Sequence, residues 1–207
     1  QMNLLGWCAT FGSDRHLDSH LAQVRADADA SASGIWAAPD RANLGMLFYR
    51  GCELLRNKSE SHSRRALGLL RMASQGYRNT GNRDVLPVAL GMWAEAERLS
   101  GNVQAAVRLA REAVALLEQG APSLLNESPV YLALHDASLE VGDQATARDA
   151  IRQGLAPLIR RLQGLVGTPY ARLFITELSH NARLVAAAED EGLQLDGVHR
   201  ILDGGRS

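Results

Sequence analysis

Lysine, cysteine and aromatic residues are all scarce in this sequence of 207 residues. Lys58 is the one lysine among 22 basic residues, and this arginine- and alanine-rich bias leads us to expect a bacterial source with a GC-rich genome. Cys8 and Cys52 lie far apart among apolar neighbours and form no CxxC pair, which favours buried thiols in a reducing cytoplasm over a disulfide framework or a zinc site. Because aromatic residues make up only 5% of the chain, alanine and leucine dominate the apolar residues and favour closely packed helices.

Long hydrophobic runs and a strong charge imbalance are missing as well. No uninterrupted apolar stretch approaches the roughly 20 residues that a membrane-spanning helix needs, and the start of the chain has no signal-sequence pattern. The net charge of −1 gives no global attraction to nucleic acid or to an acidic membrane surface. We therefore expect a cytoplasmic protein that binds neither a membrane nor a cofactor, and we regard nucleic acid as a poor candidate partner.

Known catalytic motifs are also absent. The sequence contains no phosphate-binding GxxxxGKS or GxxxxGKT, no dinucleotide-binding GxGxxG and no GxSxG of the esterases, so we expect no enzyme and assign no catalytic residue. His16 and His20 are four residues apart beside Asp14 and Asp18, but no third metal ligand is evident, so a solvated helix face is the better interpretation.

The adjacent pair His135 and Asp136 is typical of histidine-aspartate hydrolases, which also need further ligands in a fixed order. Since neighbouring residues on a helix point about 100° apart, we expect one of the two to pack near the helix turn and the other to face a groove.

Small residues recur at a fixed period. They stand seven residues apart on predicted helices, and equivalent positions are offset by 40 and then 41 residues: Ala66 and Ala73, Ala106 and Ala113, Ala147 and Gly154. Each of these helices follows another apolar helix, over 42–56, 84–100 and 129–141, which carries a large residue such as Phe48, Trp93 or Leu134. A repeat of this length predicts an all-α, right-handed solenoid of antiparallel helix pairs.

Turn signals support these boundaries. Gly101 and Gly142 suit the left-handed position after a helix, and each precedes a residue able to cap the next helix, Asn102 or Asp143. Ser128-Pro129 and Thr168-Pro169 indicate two further helix starts. Pro157 falls inside the last long apolar pattern and predicts either a kink or an early helix end.

We expect one domain over 1–207. Its predicted parts are helix pairs at about 42–79, 84–118 and 129–163, terminal helices over 169–191 and a polar tail over 196–207, with a further helix at 14–31. The chain opens on an uncovered apolar edge of Leu4, Leu5, Trp7 and Phe11, so we expect a fragment of a larger protein. Exposed end helices also predict some self-association into homo-oligomers.

The segment 90–155 resembles the tetratricopeptide repeat, in which a turn glycine precedes small residues at fixed offsets. The matching residues are Gly101, Ala106 and Ala113, followed by Gly142, Ala147 and Gly154. The copy at Ala66 lacks the turn glycine, and the spacing of 40 exceeds the usual 34. Longer repeats of this kind look like the C-terminal arrays of large bacterial regulators that carry an ATPase or kinase module, which implies a sensing or docking role in signalling.

The resemblance also implies a binding groove, because the first helix of each pair lines the concave surface of such arrays. Carried over by register, the groove positions are Gly91, Glu95, Arg98, Leu132, Asp136 and Glu140, with Arg50 and Glu53 from the first pair. We expect a non-enzymatic module that binds a peptide or protein segment of a partner or of its own parent chain. The alternative is a small-molecule sensor, which a deep pocket lined by Trp93 or Tyr131 would favour.

Arginines form two clusters along the chain. A basic ridge of this kind is typical of RNA or DNA binding, but arginines at helical spacing opposite an apolar stripe are also typical of a plain solvated face, which we favour. The two clusters are Arg56, Arg64, Arg65, Arg71 and Arg78, and then Arg148, Arg152, Arg160 and Arg161.

Overall fold

The computed structural model describes residues 41–56, 60–120, 123, 125–168 and 170–203. In these ranges the chain is all-α and contains nine helices and no strand. They are α1 (Arg41–Arg56), α2 (Glu60–Asn79), α3 (Leu86–Leu99), α4 (Val103–Glu118), α5 (Ser128–Glu140), α6 (Gln144–Gln163), α7 (Tyr170–Thr176), α8 (Ser179–Asp190) and α9 (Asp196–Asp203). The bounds predicted from the sequence for α1 and α3 to α8 lie within two residues of these, whereas the helix predicted at 14–31 lies outside the described residues.

Consecutive helices from α1 to α6 pack against one another. The most extensive contacts join α1 to α2, α3 to α4 and α5 to α6, and further contacts join α2 to α3, α4 to α5 and α3 to α5. The periodic small residues lie in these contacts, as predicted. Each of the alanines is completely buried: Ala66, Ala73, Ala106, Ala113 and Ala147.

Gly154 and Gly91 lie at close approaches between helices. A Cβ atom added to Gly154 of α6 would lie 2.9 Å from Cβ and Cγ of Tyr131 on α5. A Cβ atom added to Gly91 of α3 would lie 3.0 Å from Cα of Val130, so the backbones of α3 and α5 nearly touch there. Larger side chains at these positions would push the helices apart, which explains why the repeat requires small residues.

The two predicted turns form as expected, but only one of the predicted caps makes a side-chain hydrogen bond to its helix. Gly101 and Gly142 have φ of +84° and +78°, in the left-handed region. The Asp143 side chain caps α6 by accepting a hydrogen bond from the backbone N–H of Thr146 at 3.1 Å. Asn102 occupies the N-cap position of α4 as predicted, but its side chain makes no capping hydrogen bond, and its amide donates to Glu97 at 2.8 Å across the turn.

Two expectations about the C-terminal part are also corrected. Of the two alternatives expected at Pro157, a kink or an early helix end, the early end is wrong, because α6 runs through Pro157 to Gln163. Beyond the proline, buried Leu158 and Leu162 hold the last turns in the core. The expected polar tail is wrong for 196–203, since these residues form α9 and pack on α6 and α7. Burial of Leu195 and Val198, three residues apart, anchors this helix.

A buried polar cluster attaches α8 to the loop before α5. Asn126 donates from Nδ2 to Oδ1 of Asn181 at 2.5 Å, and the Ser128 hydroxyl lies 2.7 Å from the same oxygen. Asn181 in turn donates to the Phe174 carbonyl at 2.8 Å. Because buried polar groups are costly unless they are hydrogen-bonded, this cluster fixes where α8 sits against α5.

Candidate functional site

The predicted groove residues on α3 and α5 fall into a buried set and a charged set. Gly91 and Leu132 are buried, and Gly91 packs directly against Val130. These two residues therefore hold α3 against α5 and present little surface to a partner, which corrects the groove prediction at both positions.

The charged set is centred on the guanidinium of Arg98. Its Nε and Nη2 donate to the two carboxylate oxygens of Glu95 at 2.8 and 2.9 Å, and its Nη1 donates to Glu140 of α5 at 2.5 Å. The hydrogen bonds to Glu95, followed by the contact with Glu140, raise the pKa of Arg98 above its ordinary value. A bidentate pair of this type fixes side-chain orientation as well as charge.

Asp136 joins α5 to α8. One carboxylate oxygen lies 2.8 Å from His135 Nδ1, and the other accepts from Arg183 Nη2 at 2.6 Å. Burial favours a higher pKa for Asp136, but the His135 hydrogen bond and the charges of Arg183 and Arg98 outweigh it and hold the pKa below its ordinary value of 3.8. His135 is buried and Asp136 is half-buried, and although neighbouring helix residues point about 100° apart, their side chains are joined by a hydrogen bond.

These side chains form one group, which we call the ion-pair cluster: Glu95, Arg98, His135, Asp136, Glu140 and Arg183. It draws on α3, α5 and α8, which are separated in sequence. The groove prediction found four of the six members. Arg183 was missed because α8 lies beyond the last repeat, so no register could be carried over to it.

His180 lies beside the cluster on α8. Burial lowers its pKa from 6.5 to about 4, and the positive charges of Arg183 and Arg56 act in the same direction, while Asp136 opposes them. Arg50 and Glu53, the predicted groove residues of α1, are both half-buried.

Metal and thiol chemistry find little support in the described part of the chain. No group of three or more His, Cys, Asp and Glu side chains there is arranged to hold a metal ion. The candidate ligands His16 and His20, with Asp14, Asp18 and Cys8, lie outside that part. Cys52 is buried as predicted, and burial raises the pKa of its thiol, which keeps it protonated and unreactive. None of the described helices combines the length and the apolar character that crossing a bilayer requires.

Surface cavities occur among the described residues, and two of them bear on ligand binding. One, of about 690 Å³, lies against α6 and has Val114, Leu134 and Leu193 among its lining residues. The other, of about 450 Å³, lies at the turn between α3 and α4. Neither is lined by Trp93, whose indole donates to Glu97 at 2.9 Å, or by Tyr131, which packs on Gly154. These cavities therefore do not meet the expectation for a ligand sensor.

Comparison of the chain with protein-family models, with curated proteins and with solved structures finds no match. The resemblance to the tetratricopeptide repeat therefore stays a prediction, and any functional assignment depends on the geometry described above.

Proposed function

We propose that this chain is a non-enzymatic helical-repeat module, a right-handed solenoid of antiparallel helix pairs similar to the tetratricopeptide repeat. In this proposal it serves a bacterial cytoplasmic regulator by binding a peptide or protein segment over the ion-pair cluster. The observation that carries the proposal is that α3, α5 and α8 bring two hydrogen-bonded groups together, Arg98 with Glu140 and Asp136 with Arg183, and that Arg98 and Asp136 interact through their charges. A surface assembled from three helices presents a fixed array of charges that a partner can recognise.

The exposure of the cluster is graded in a way that suits binding. The Glu95 and Arg98 side chains are 19% and 18% exposed, whereas Glu140 and Arg183 are 39% and 49% exposed. The inner pair is therefore held in place, while the outer groups stay accessible to a partner. Because exposed ion pairs contribute only about 0–1 kcal/mol, an incoming carboxylate or backbone carbonyl can replace an outer contact at little cost.

The test is capture of partners with the chain as bait, using the double variant Glu95→Ala/Arg98→Ala. The matched control is Arg172→Ala/Glu177→Ala, which removes one charge of each sign from exposed positions in and just after α7. We expect a captured protein to be lost with the first variant and retained with the second. In calorimetric titration, the purified partner should bind the first variant more weakly than it binds the wild type and the control.

Circular dichroism melting checks that both variants remain folded, and Arg98→Lys, which keeps the charge but not the bidentate geometry, serves as a milder change. Equal capture by the wild type and the Glu95→Ala/Arg98→Ala variant would reject the cluster as the binding surface.

A further inference from the structure

The second helix of each predicted pair carries an arginine at the same position of the repeat. Arg71, Arg111 and Arg152 each stand five residues after the alanines Ala66, Ala106 and Ala147, and all three arginines are exposed. We call these three residues the arginine ladder. Because the three alanines are buried in the core and each arginine follows its alanine at the same distance, the arginines lie at equivalent positions on the outer faces of α2, α4 and α6.

These three helices are also strongly basic as a group. Together α2, α4 and α6 carry ten arginines and four carboxylates, a net charge of +6. By contrast, α1, α3 and α5 carry four arginines and five carboxylates, a net charge of −1. The positive charge of the chain is therefore concentrated on one set of helices, even though the whole chain has a net charge of −1.

Two ion pairs join these helices to one another at the surface. Arg78 of α2 contacts Glu112 of α4 at 2.6 Å, and Arg111 of α4 contacts Asp143 at the start of α6 at 3.2 Å. An elongated ligand can therefore cross from α2 to α6 without leaving the surface.

The ladder arginines are weakly held by the chain itself. The side chains of Arg111 and Arg152 are 58% and 71% exposed while they contact Asp143 and Asp149, and Arg71 forms no ion pair within the described residues. Exposed pairs of this kind are easily exchanged for those of a ligand.

An apolar site lies next to the ladder. The cavity of about 690 Å³ against α6 has Arg148 and Arg152 among its lining residues, together with the apolar side chains of Val114, Leu134 and Leu193. A ligand that fits both features needs negative charges along its length and an apolar group near the α6 end.

We propose that the arginine ladder binds an extended acidic peptide segment, with an apolar side chain of that segment in the cavity beside α6. Arginine pairs well with carboxylates. The ion pairs of Arg78 with Glu112 and of Arg111 with Asp143 link the surfaces of α2, α4 and the start of α6, so an extended segment of about twelve residues, roughly 40 Å long, can follow these helices. A single-stranded nucleic acid would also need aromatic stacking platforms, and the only aromatic residue of α2, α4 and α6, Tyr77, is buried. This surface is separate from the ion-pair cluster.

The test is fluorescence anisotropy at low ionic strength. The probe is a labelled peptide of about twelve residues of glutamate and serine with one central leucine, and its control has glutamine for glutamate. We expect Arg71→Gln/Arg111→Gln/Arg152→Gln to weaken binding of the acidic peptide about tenfold. The control Arg83→Gln/Arg172→Gln/Arg200→Gln removes three exposed arginines elsewhere and should leave binding within about twofold. The Glu95→Ala/Arg98→Ala variant should bind the acidic peptide as tightly as the wild type does. A negative result in this experiment therefore counts against the arginine ladder and not against the proposed function of the ion-pair cluster.

Four outcomes would overturn the proposal. The first is a lack of saturable binding of the acidic peptide, and the second is equal weakening of peptide binding by both triple variants. The third is ladder-dependent binding of duplex DNA or single-stranded RNA that is tighter than binding of the peptide. The fourth is self-association, measured by ultracentrifugation, that the ladder substitutions abolish. The third would identify a nucleic acid as the ligand, and the fourth would identify a second copy of this chain.

Discussion

Arg98 and Arg152 each contact a carboxylate three residues earlier on the same helix, yet their surroundings differ. The Arg98 and Glu95 side chains are 18% and 19% exposed, and Arg98 also contacts Glu140 on α5. The Arg152 and Asp149 side chains are 71% and 40% exposed. Sequence spacing thus gives the same local pair twice, and contact with a neighbouring helix decides which pair is tied into the fold.

The difference predicts that the ion-pair cluster and its surroundings affect stability, whereas the arginine ladder affects binding alone. Four predictions test this contrast, beginning with the largest effect.

Acidification should destabilise the region around the ion-pair cluster through protonation of His180. Its folded-state pKa of about 4 lies below the ordinary 6.5, so between these pH values the unfolded chain takes up a proton there that the folded chain does not. Stability should therefore fall as the pH drops from 6.5 towards 4, by up to about 3 kcal/mol. Urea unfolding across this range measures the loss, and His180→Gln should reduce it. The exposed His199→Gln is the control; identical slopes for both variants would contradict the prediction.

Removal of one carboxylate should have unequal effects on the two surfaces. Asp136→Ala leaves His135 and Arg183 without their shared acceptor, and we expect a loss of about 2 kcal/mol in the free energy of unfolding. Asp149→Ala removes an acceptor that also serves two side chains, Arg152 and Gln153, but at an exposed position, and should cost less than about 0.5 kcal/mol. Chemical denaturation of both variants provides the comparison, which similar losses would refute.

Glycine substitutions should change stability in opposite directions. Gly91→Ala drives a methyl group towards the Val130 backbone beneath the cluster and should cost about 1 to 2 kcal/mol. Gly68→Ala adds a methyl group in open space on exposed α2 and should stabilise by about 0.5 to 1 kcal/mol. Thermal melting of both measures the effect, and stabilisation by Gly91→Ala would show that α3 and α5 separate easily.

The smallest expected effect is on the ladder. Arg71→Gln/Arg111→Gln/Arg152→Gln should change the free energy of unfolding by less than about 1 kcal/mol in total, because surface charges of this exposure contribute little. Urea unfolding at low and at high salt measures this. A loss comparable to that of Asp136→Ala would mean that the ladder is part of the fold's stabilising network.

The predicted period of 40 to 41 residues anticipated much of the fold because the small residues that define it lie in the core. Ala106, Ala113 and Ala147 are buried where the small-residue pattern places them, and the glycine turns follow from backbone conformations that other residues rarely adopt. Four members of the ion-pair cluster are among the groove positions that the resemblance to the tetratricopeptide repeat implied by register: Glu95, Arg98, Asp136 and Glu140.

Contacts between distant segments were not predictable in the same way. Arg183 reaches Asp136 over 47 residues, and Asn126 reaches Asn181 over 55, outside any repeat register. The residues of α9 seemed polar because Asp196, Arg200 and Asp203 dominate the composition, although Val198 and Ile201 stand three residues apart on one helix face. Gly91 and Leu132 are buried instead of lining a groove. The repeat register gives the position of a residue along its helix, but it does not show whether a neighbouring helix covers that residue.

The hydrogen bond between Asn126 and Asn181 has a consequence for how this chain can change in length by gene duplication. A helix pair inserted between α6 and α7 would separate the two asparagines and leave buried polar groups without partners, a cost of about 1 to 3 kcal/mol for each group. An extra pair inserted before α3 would leave this hydrogen bond intact. Natural variants with more repeats are therefore expected to gain them on the N-terminal side of Asn126.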